Sequence, residues 1–158
     1  MPLSLAAEKA IDVVVHANHP RELTPRVKEA LTRLSRAGIP LLSQTVLLRG
    51  VNDDAAVLEA LFRSLVATRV KPYYLHHADL ARGTTHFRTG IAAGQHLVRS
   101  LRGHISGLCQ PTYVLDIPGG YGKVPIAAGA VSAAEGAGGW IVEDPAGVQH
   151  AYPPDPEG

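Results

Sequence analysis

The chain has 158 residues, of which 46% are hydrophobic and 18% are charged, and its formal net charge is +1. That length suits one domain with a sizeable core, and the composition excludes a disordered chain. The near-zero charge offers no broad basic surface for nucleic acid, and no apolar run reaches the roughly 18 residues that a membrane span needs.

The cysteine count limits the disulfide and metal chemistry of this chain, and its first residues bear on its cellular location. A single cysteine, Cys109, excludes an internal disulfide and a cysteine cluster within this chain, and it is expected to be a small core residue. Residues 1–5 lack a charged segment followed by an apolar core, so no secretory signal is expected and the cytoplasm is the predicted location.

The chain begins with alternating strand and helix patterns. Residues 11–17 (IDVVVHA) are typical of a strand buried on both faces. Residues 25–37 predict a helix, because Thr24 is placed as its N-cap and Pro25 at its first position. Residues 40–48 (PLLSQTVLL) predict a second buried strand.

The alternation continues beyond the second strand. Asn52 or Asp53 is placed to cap a second helix, with acids in its first turn, and residues 70–75 (VKPYYL) predict a third strand. Residues 89–101, capped by Thr89, predict a third helix, and residues 110–117 (QPTYVLDI) a final strand. Parallel neighbours need helical crossovers, so the pattern predicts an α/β fold with a parallel sheet.

Polar groups follow two of the predicted strands, where ligands collect in parallel α/β folds. Asp79 lies in a polar loop after the third strand, and Asp116 ends the last one. Three glycines within residues 119–122 then lead to Lys123. Such a loop is either shaped around a ligand, with Lys123 as a Schiff-base amine, or a plain turn with a solvated lysine. Two converging carboxylates would hold a cationic group.

The remaining segments have simpler interpretations. The Ala- and Gly-rich residues 127–139 predict a linker, residues 140–152 a closing hairpin, and residues 153–158 a frayed end. Five histidines invite a metal site, but none has paired ligand spacing, so polar lining and capping roles are preferred and no metal is predicted: His16, His19, His76, His77 and His86.

Five motifs between residues 11 and 126 resemble, in order and with natural spacing, the lysine 2,3-aminomutase family of radical S-adenosylmethionine enzymes. They are HANHPREL (16–23), SQTVLLRGVND (43–53), RVKPYYL (69–75), DLARGTTHFRT (79–89) and LRGHISGLCQPTYVLDIPGGYGKVPI (101–126). The resemblance implies that residues 1–126 form the C-terminal half of a partial (β/α) TIM-like barrel, with residues 127–139 as linker and 140–158 as hairpin and tail.

The resemblance also implies an activity, the radical 1,2-amino migration that converts L-lysine to β-lysine. By matching position, Lys123 corresponds to the catalytic lysine that binds pyridoxal 5′-phosphate. Asp79 and Asp116 correspond to the pair that grips the side-chain ammonium of the substrate lysine.

Further positions match cofactor contacts. His16 and Gln44 match positions at the S-adenosylmethionine site, and Tyr73 matches a tyrosine beside the pyridoxal ring. The family's Cys-x3-Cys-x2-Cys motif, which binds a [4Fe–4S] cluster, is absent, and so are cysteines for the structural zinc of clostridial relatives.

These departures lead to the expectation that the chain is truncated or split. Alone it would be incomplete and inactive, so it is expected to need a partner half or to self-associate. Neither nucleic acid nor a membrane is expected as a partner. Two alternatives stay open. In the first, the substrate is a lysine of elongation factor P, because His76 stands where clostridial relatives have a tyrosine and so resembles the bacterial branch that modifies that protein. Asp116 instead favours free lysine as the substrate. Otherwise the chain is a non-catalytic remnant that binds pyridoxal phosphate or an amino acid. Glutamate as substrate is disfavoured by the paired aspartates.

Overall fold

The computed structural model describes residues 10–135 and 139–152, and the expectations for residues 1–5 and 153–158 lie outside this part. Its main sheet has five strands that lie side by side in chain order. They are β1 (Val13–His16), β2 (Leu41–Leu47), β3 (Lys71–His77), β4 (Thr112–Asp116) and β5 (Lys123–Pro125). β1 to β4 are parallel, and β5 pairs antiparallel with β4. The predicted α/β class with a parallel sheet is confirmed.

Three helices connect the parallel strands: α1 (Pro25–Arg36), α2 (Ala55–Ala67) and α3 (Ile91–Leu101). The start of α1 agrees with its sequence signals, because Thr24 Oγ1 accepts a hydrogen bond from the backbone N–H of Val27 at 3.3 Å. Within the described residues, no helix is both long enough and apolar enough to cross a membrane.

The predicted caps of α2 and α3 were wrong. Asp54, not Asn52 or Asp53, caps α2, and no acid lies in its first turn. Asn52 is fully buried instead, where Oδ1 accepts from the Leu48 N–H at 2.7 Å and Nδ2 donates to the Asn18 carbonyl at 2.8 Å. It thereby joins the loops that follow β1 and β2.

At α3 the N-cap is Gly90, without a side-chain hydrogen bond. Thr89 Oγ1, which the pattern placed as the cap, is buried and has no hydrogen-bond partner among the described residues. The difference of one residue in the helix start moves this hydroxyl away from the free N–H groups of the first turn.

The core lies between the sheet and the helices. Leu31 of α1, Leu58 of α2 and Leu101 of α3 belong to one buried cluster, so all three helices cover the same face of the sheet. Right-handed crossovers between strands that are neighbours in chain order produce this arrangement. Fully buried side chains from α2 and the inner strands fill this side: Leu47, Leu58, Leu61, Phe62, Leu65 and Leu75. On the other face Val14 is 47% exposed and His16 is also exposed. The expectation that the first strand is buried on both faces was therefore wrong.

A second, three-stranded antiparallel sheet follows, made of β6 (Val131–Ala133), β7 (Trp140–Glu143) and β8 (Gln149–Tyr152). The hairpin predicted for residues 140–152 is confirmed by the pairing of β7 with β8. β6 forms inside the segment predicted as a linker, of which residues 136–138 lie outside the described part. Arg99 of α3 holds this sheet through Glu143, with Nη1 to Oε1 at 2.8 Å.

Candidate functional site

β4, β5 and the glycine-rich turn between them bring Asp116 and Lys123 together as opposite residues of an antiparallel pair. Gly119, Gly120 and Gly122 have φ of 91°, 81° and 101°, a region that side chains other than glycine rarely adopt. The chain can therefore reverse within a few residues. Lys123 Nζ donates to both Asp116 Oδ1 and Oδ2, each at 2.6 Å.

His76 of β3 completes this cluster from the neighbouring strand. Its Nδ1 lies 3.0 Å from Asp116 Oδ2 and 3.3 Å from Lys123 Nζ. Only 16% of the His76 side chain is exposed, and its Nε2 is buried without a hydrogen-bond partner among the described residues. From the sequence, His76 was expected to line a site or cap an element, and it was used to compare branches of the family, but it was not predicted to contact Asp116 or Lys123. Its position at the end of a strand was the available signal for a site residue.

A β-bulge in β3 determines which side chains reach this cluster. The register between β2 and β3 slips at Tyr73, because Ser43 lies opposite Pro72 while Gln44 lies opposite Tyr74. An extra residue in one strand reverses the alternation of side chains beyond it. Leu75 and His77 consequently turn to the core, whereas Tyr74 and His76 turn to the open face.

The cluster is charged and partly accessible to solvent. The hydrogen bond from Lys123 holds the pKa of the Asp116 carboxyl below its ordinary value of 3.8; partial burial opposes this shift, and the contact with His76 adds to it. The Asp116 and Lys123 side chains are 41% and 31% exposed. Asp116 is therefore a carboxylate at neutral pH, and an incoming ligand can reach it.

Two tyrosines lie beside the lysine. Lys123 Nζ is 5.4 Å from the centroid of the Tyr74 ring, within the range of a cation–π contact. Tyr73, which is 43% exposed, donates from its hydroxyl to that of Tyr74 at 2.9 Å, and the two ring centroids are 3.8 Å apart. Tyr73 thus lies next to the cluster without a hydrogen bond to Lys123.

Asp79 lines a cavity of about 480 Å³ together with Asp116. Apart from these two carboxylates and His77, the lining side chains are apolar. The sequence-predicted pair therefore faces one cavity, although Asp79 makes no hydrogen bond to Asp116 or Lys123 within the described residues.

His77 is a wall of this cavity and is nearly buried, with 8% of its surface exposed. Its Nδ1 lies 2.8 Å from the hydroxyl of Tyr113. Burial lowers the pKa of His77, helped by the charge of Arg88, while burial raises the pKa of Tyr113 to about 12. Both groups are consequently neutral at pH 7.

His16 and Gln44 lie opposite each other on β1 and β2, and Gln44 also lies opposite Tyr74 on β3. The three side chains form a row across the open face. His16 Nε2 lies 3.2 Å from Asn18 Oδ1. Neither His16 nor Gln44 is hydrogen-bonded to Lys123 in the described part of the chain.

Comparison with known proteins places the chain in a family. A family model described as lysine-2,3-aminomutase matches residues 98–157, which include Asp116 and Lys123. An L-lysine 2,3-aminomutase of Fusobacterium nucleatum is 50% identical over 111 residues, which are 70% of this chain and 26% of that protein. The chain belongs to the lysine 2,3-aminomutase family.

Other members of the lysine 2,3-aminomutase family match the same share of this chain. The L-lysine 2,3-aminomutase of Methanococcus maripaludis is 51% identical, and the glutamate 2,3-aminomutase of Clostridioides difficile is 44% identical. Each match covers 70% of this chain and 26% of the relative. The matched part is therefore about a quarter of the length of these relatives. The relatives are named for two different substrates, lysine and glutamate.

Proposed function

We propose that this chain supplies the substrate-side part of a lysine 2,3-aminomutase, which isomerises L-lysine to β-lysine by a radical 1,2-amino migration. The observation that carries the proposal is the meeting of Lys123 with Asp116 beside a cavity that Asp79 also lines. The names of the relatives support an aminomutase, and hence an isomerase.

The residues present fit pyridoxal 5′-phosphate. Lys123 offers a partly exposed primary amine, and Tyr73 and Tyr74 offer aromatic surface next to it. We assign Lys123 as the catalytic residue that binds the cofactor and Tyr73 as a neighbour of its ring. When bound, pyridoxal phosphate supplies a carbonyl that carries the substrate amine and delocalises the electrons of the reacting centre.

Asp79 and Asp116 bind the side-chain ammonium of the substrate in this proposal. Two carboxylates in a cavity whose other lining side chains, apart from His77, are apolar suit an alkyl chain that ends in a cation, because close like charges need a cation between them. The apolar walls exclude water from the alkyl chain, and the carboxylates fix its end. Such positioning contributes more to a radical migration than acid–base catalysis does.

The residues of this chain do not fit a [4Fe–4S] cluster. The single cysteine, Cys109, is buried, and the described residues hold no group of three metal-ligating side chains. No step is therefore derived from the cluster. In the complete enzyme, cysteines outside these 158 residues would hold it together with S-adenosylmethionine, for which we propose His16 and Gln44 as contacts.

The open face of the sheet supports a complementary half in this enzyme. β1 to β4 and their helices correspond to half of a (β/α) barrel, and the row of His16, Gln44 and Tyr74 faces the side that the described helices leave uncovered. We propose that a cluster-binding half, in the same or another polypeptide, covers this face. Its absence from a preparation would leave the chain inactive.

A second candidate is a module that binds pyridoxal phosphate or an amino acid without catalysis, which the lack of cluster ligands favours. Within the enzyme proposal, a lysine of elongation factor P is the alternative substrate. The open side of the Asp116 cluster would admit a side chain presented by a protein.

Titration of the purified chain with pyridoxal phosphate, followed by borohydride reduction and peptide mapping, tests the proposal. We expect a reduced adduct on Lys123 that is lost in Lys123→Ala, whereas labelling of the exposed Lys28 serves as the background. Labelling spread evenly over the lysines would contradict a cofactor site in this chain. Titration of a lysine peptide from elongation factor P against free lysine then separates the substrates.

A further inference from the structure

The ammonium of Lys123 fills the position at Asp116 that a substrate cation would need. Lys123 Nζ donates to both carboxylate oxygens at 2.6 Å, a short, charge-assisted geometry. Among the described residues, Oδ1 has no other side-chain partner. A second alkylammonium group therefore cannot take the same place while Lys123 stays there.

His76 holds the same carboxylate from the other side. Its Nδ1 approaches Oδ2 at 3.0 Å, and the imidazole is fixed because only 16% of it is exposed. Since His76 reaches only Oδ2, the position at Oδ1 is left for a cation. His76 thus orients Asp116 whichever cation is bound.

The chemistry of Lys123 decides when its place becomes free. When the Lys123 amine condenses with an aldehyde, a carbon–nitrogen double bond forms, the carbonyl oxygen leaves as water and the ammonium proton passes to solvent. The nitrogen then carries at most one hydrogen, so it cannot donate to both oxygens of Asp116.

We infer that Lys123 stands in for the substrate cation in the free chain, and that attachment of a carbonyl compound to Lys123 opens an alkylammonium site on Asp116 that His76 keeps in position. This inference rests on the proposed function, and it adds an order of binding: the carbonyl cofactor first, the amine ligand second. Coupling of this kind is reciprocal, so the amine also strengthens cofactor binding.

The first experiment measures binding of n-pentylammonium by calorimetry to the full chain without cofactor. We expect Lys123→Met to bind about tenfold more tightly than the unchanged chain, since it leaves Oδ1 of Asp116 without a cation while His76 still contacts Oδ2. Lys123→Arg keeps a cation there and should not gain affinity. Lys28→Met removes the same charge from the exposed surface of α1 and is the matched control.

The second experiment tests the part of His76 in the Lys123→Met background. His76→Phe should abolish most of the gain, whereas His76→Gln, which keeps a hydrogen-bond donor, should retain it. A merely structural role would not separate these two variants when both have the same circular dichroism spectrum. Equal affinities for the two would overturn the assignment of His76.

The third experiment measures the coupling itself. Its probe is N,N-dimethylpentylammonium, because a primary amine would itself condense with pyridoxal phosphate, whereas this tertiary ammonium keeps one N–H donor and forms no imine. Pyridoxal phosphate should raise the affinity of the unchanged chain for this probe and have no effect on Lys123→Met. If Lys123→Met binds no better than the unchanged chain, or if Lys28→Met gains equally, the inference fails even though an adduct on Lys123 would still support the proposed function. Absence of the adduct would instead contradict the proposed function. It would also contradict the inference that a carbonyl compound on Lys123 frees Asp116 for an amine ligand.

Discussion

Asp116 is both accessible to solvent and held in its charged form. Its side chain is 41% exposed, yet the N–H groups of Lys123 keep the pKa of the carboxyl below 3.8, with a smaller contribution from His76. Because solvent screens an ion pair with this exposure, we assign it less than about 1 kcal/mol of stability. The pair matters more for the charge of the site than for the fold.

Asp116→Asn should change the pH dependence of stability. The pKa of this carboxyl is lower in the folded than in the unfolded chain, so its contribution is full above the unfolded value and is lost as the pH falls through the folded value, below 3.8. We expect Asp116→Asn to be slightly less stable than the unchanged chain in urea unfolding at pH 7, with the difference gone at about pH 2. A difference that stays constant with pH would argue against the ion pair. In the Lys123→Met background, the effect of Asp116→Asn on the free energy of unfolding should be small at every pH.

The sequence predicted Asp116, the glycine turn and Lys123 as one site because they are close along the chain. It did not predict the contact of His76 with them, because His76 lies 40 positions before Asp116 and 47 positions before Lys123 in the sequence. Contacts of this range depend on the register between strands, and the composition of a strand does not determine register.

The bulge in β3 illustrates the same limit at the level of a strand. Strict alternation from the buried Pro72 would have turned Tyr74 and His76 to the core. The extra residue, Tyr73, reverses this. Pro72 directly before it is compatible with either the start of a strand or a bulge, so the sequence did not decide between the two directions. The four parallel strands were predicted well from apolar runs, whereas the short strands β5 and β6 and the direction of each side chain were not predicted.

Helix ends were predictable where the cap had no other use. Thr24 and Pro25 start α1 as their types suggest, whereas Asn52 and Asp53 are used by the preceding loop and leave the α2 cap to Asp54. β6 escaped prediction because its strand consists of small residues in an Ala- and Gly-rich segment. Hydrogen bonds within the preceding loop decided the α2 cap, and pairing with β7 decided β6.

At Gly94, α3 packs closely against Tyr113 of β4, and a substitution there tests this packing. A Cβ at this position would lie 2.0 Å from the buried hydroxyl of Tyr113, which His77 holds in place. We expect Gly94→Ala to lower the free energy of unfolding by about 1–3 kcal/mol, measured by urea denaturation.

Two variants control this measurement. Gly90→Ala has open space around the added Cβ, so the loss should be small there. Tyr113→Phe removes the clashing oxygen and should recover part of the stability in the double variant, relative to its own effect. Equal losses for Gly94→Ala and Gly90→Ala would show that backbone freedom, rather than the clash, sets the effect.

The whole molecule combines a well-packed layer with an uncovered face. The alternating pattern predicted the parallel layer, which depends on local periodicity, and the structure confirms it. The completion of a barrel depends on residues that the described sheet does not contain, and it remains part of the proposed function. Stability should accordingly be concentrated on the helix side of β2 and β3.

Native-state hydrogen exchange should show this distribution. We expect the slowest exchange at Leu47 and Leu75, which are fully buried at the centre, and faster exchange in β8, whose residues are all exposed. If β8 were as protected as β3, the two sheets would unfold as one cooperative unit, contrary to this expectation.

β5 also determines where the sheet can grow. It runs against its neighbour, has three residues and ends in Pro125, so it is a poor template for another parallel strand. β1 is parallel to β2 and has its outer edge unpaired in the described residues. A further parallel strand could therefore pair only along β1, because the hairpin that carries Lys123 forms the other edge of the described sheet. A lysine on such an edge can shift with its hairpin while the remaining strands keep their register.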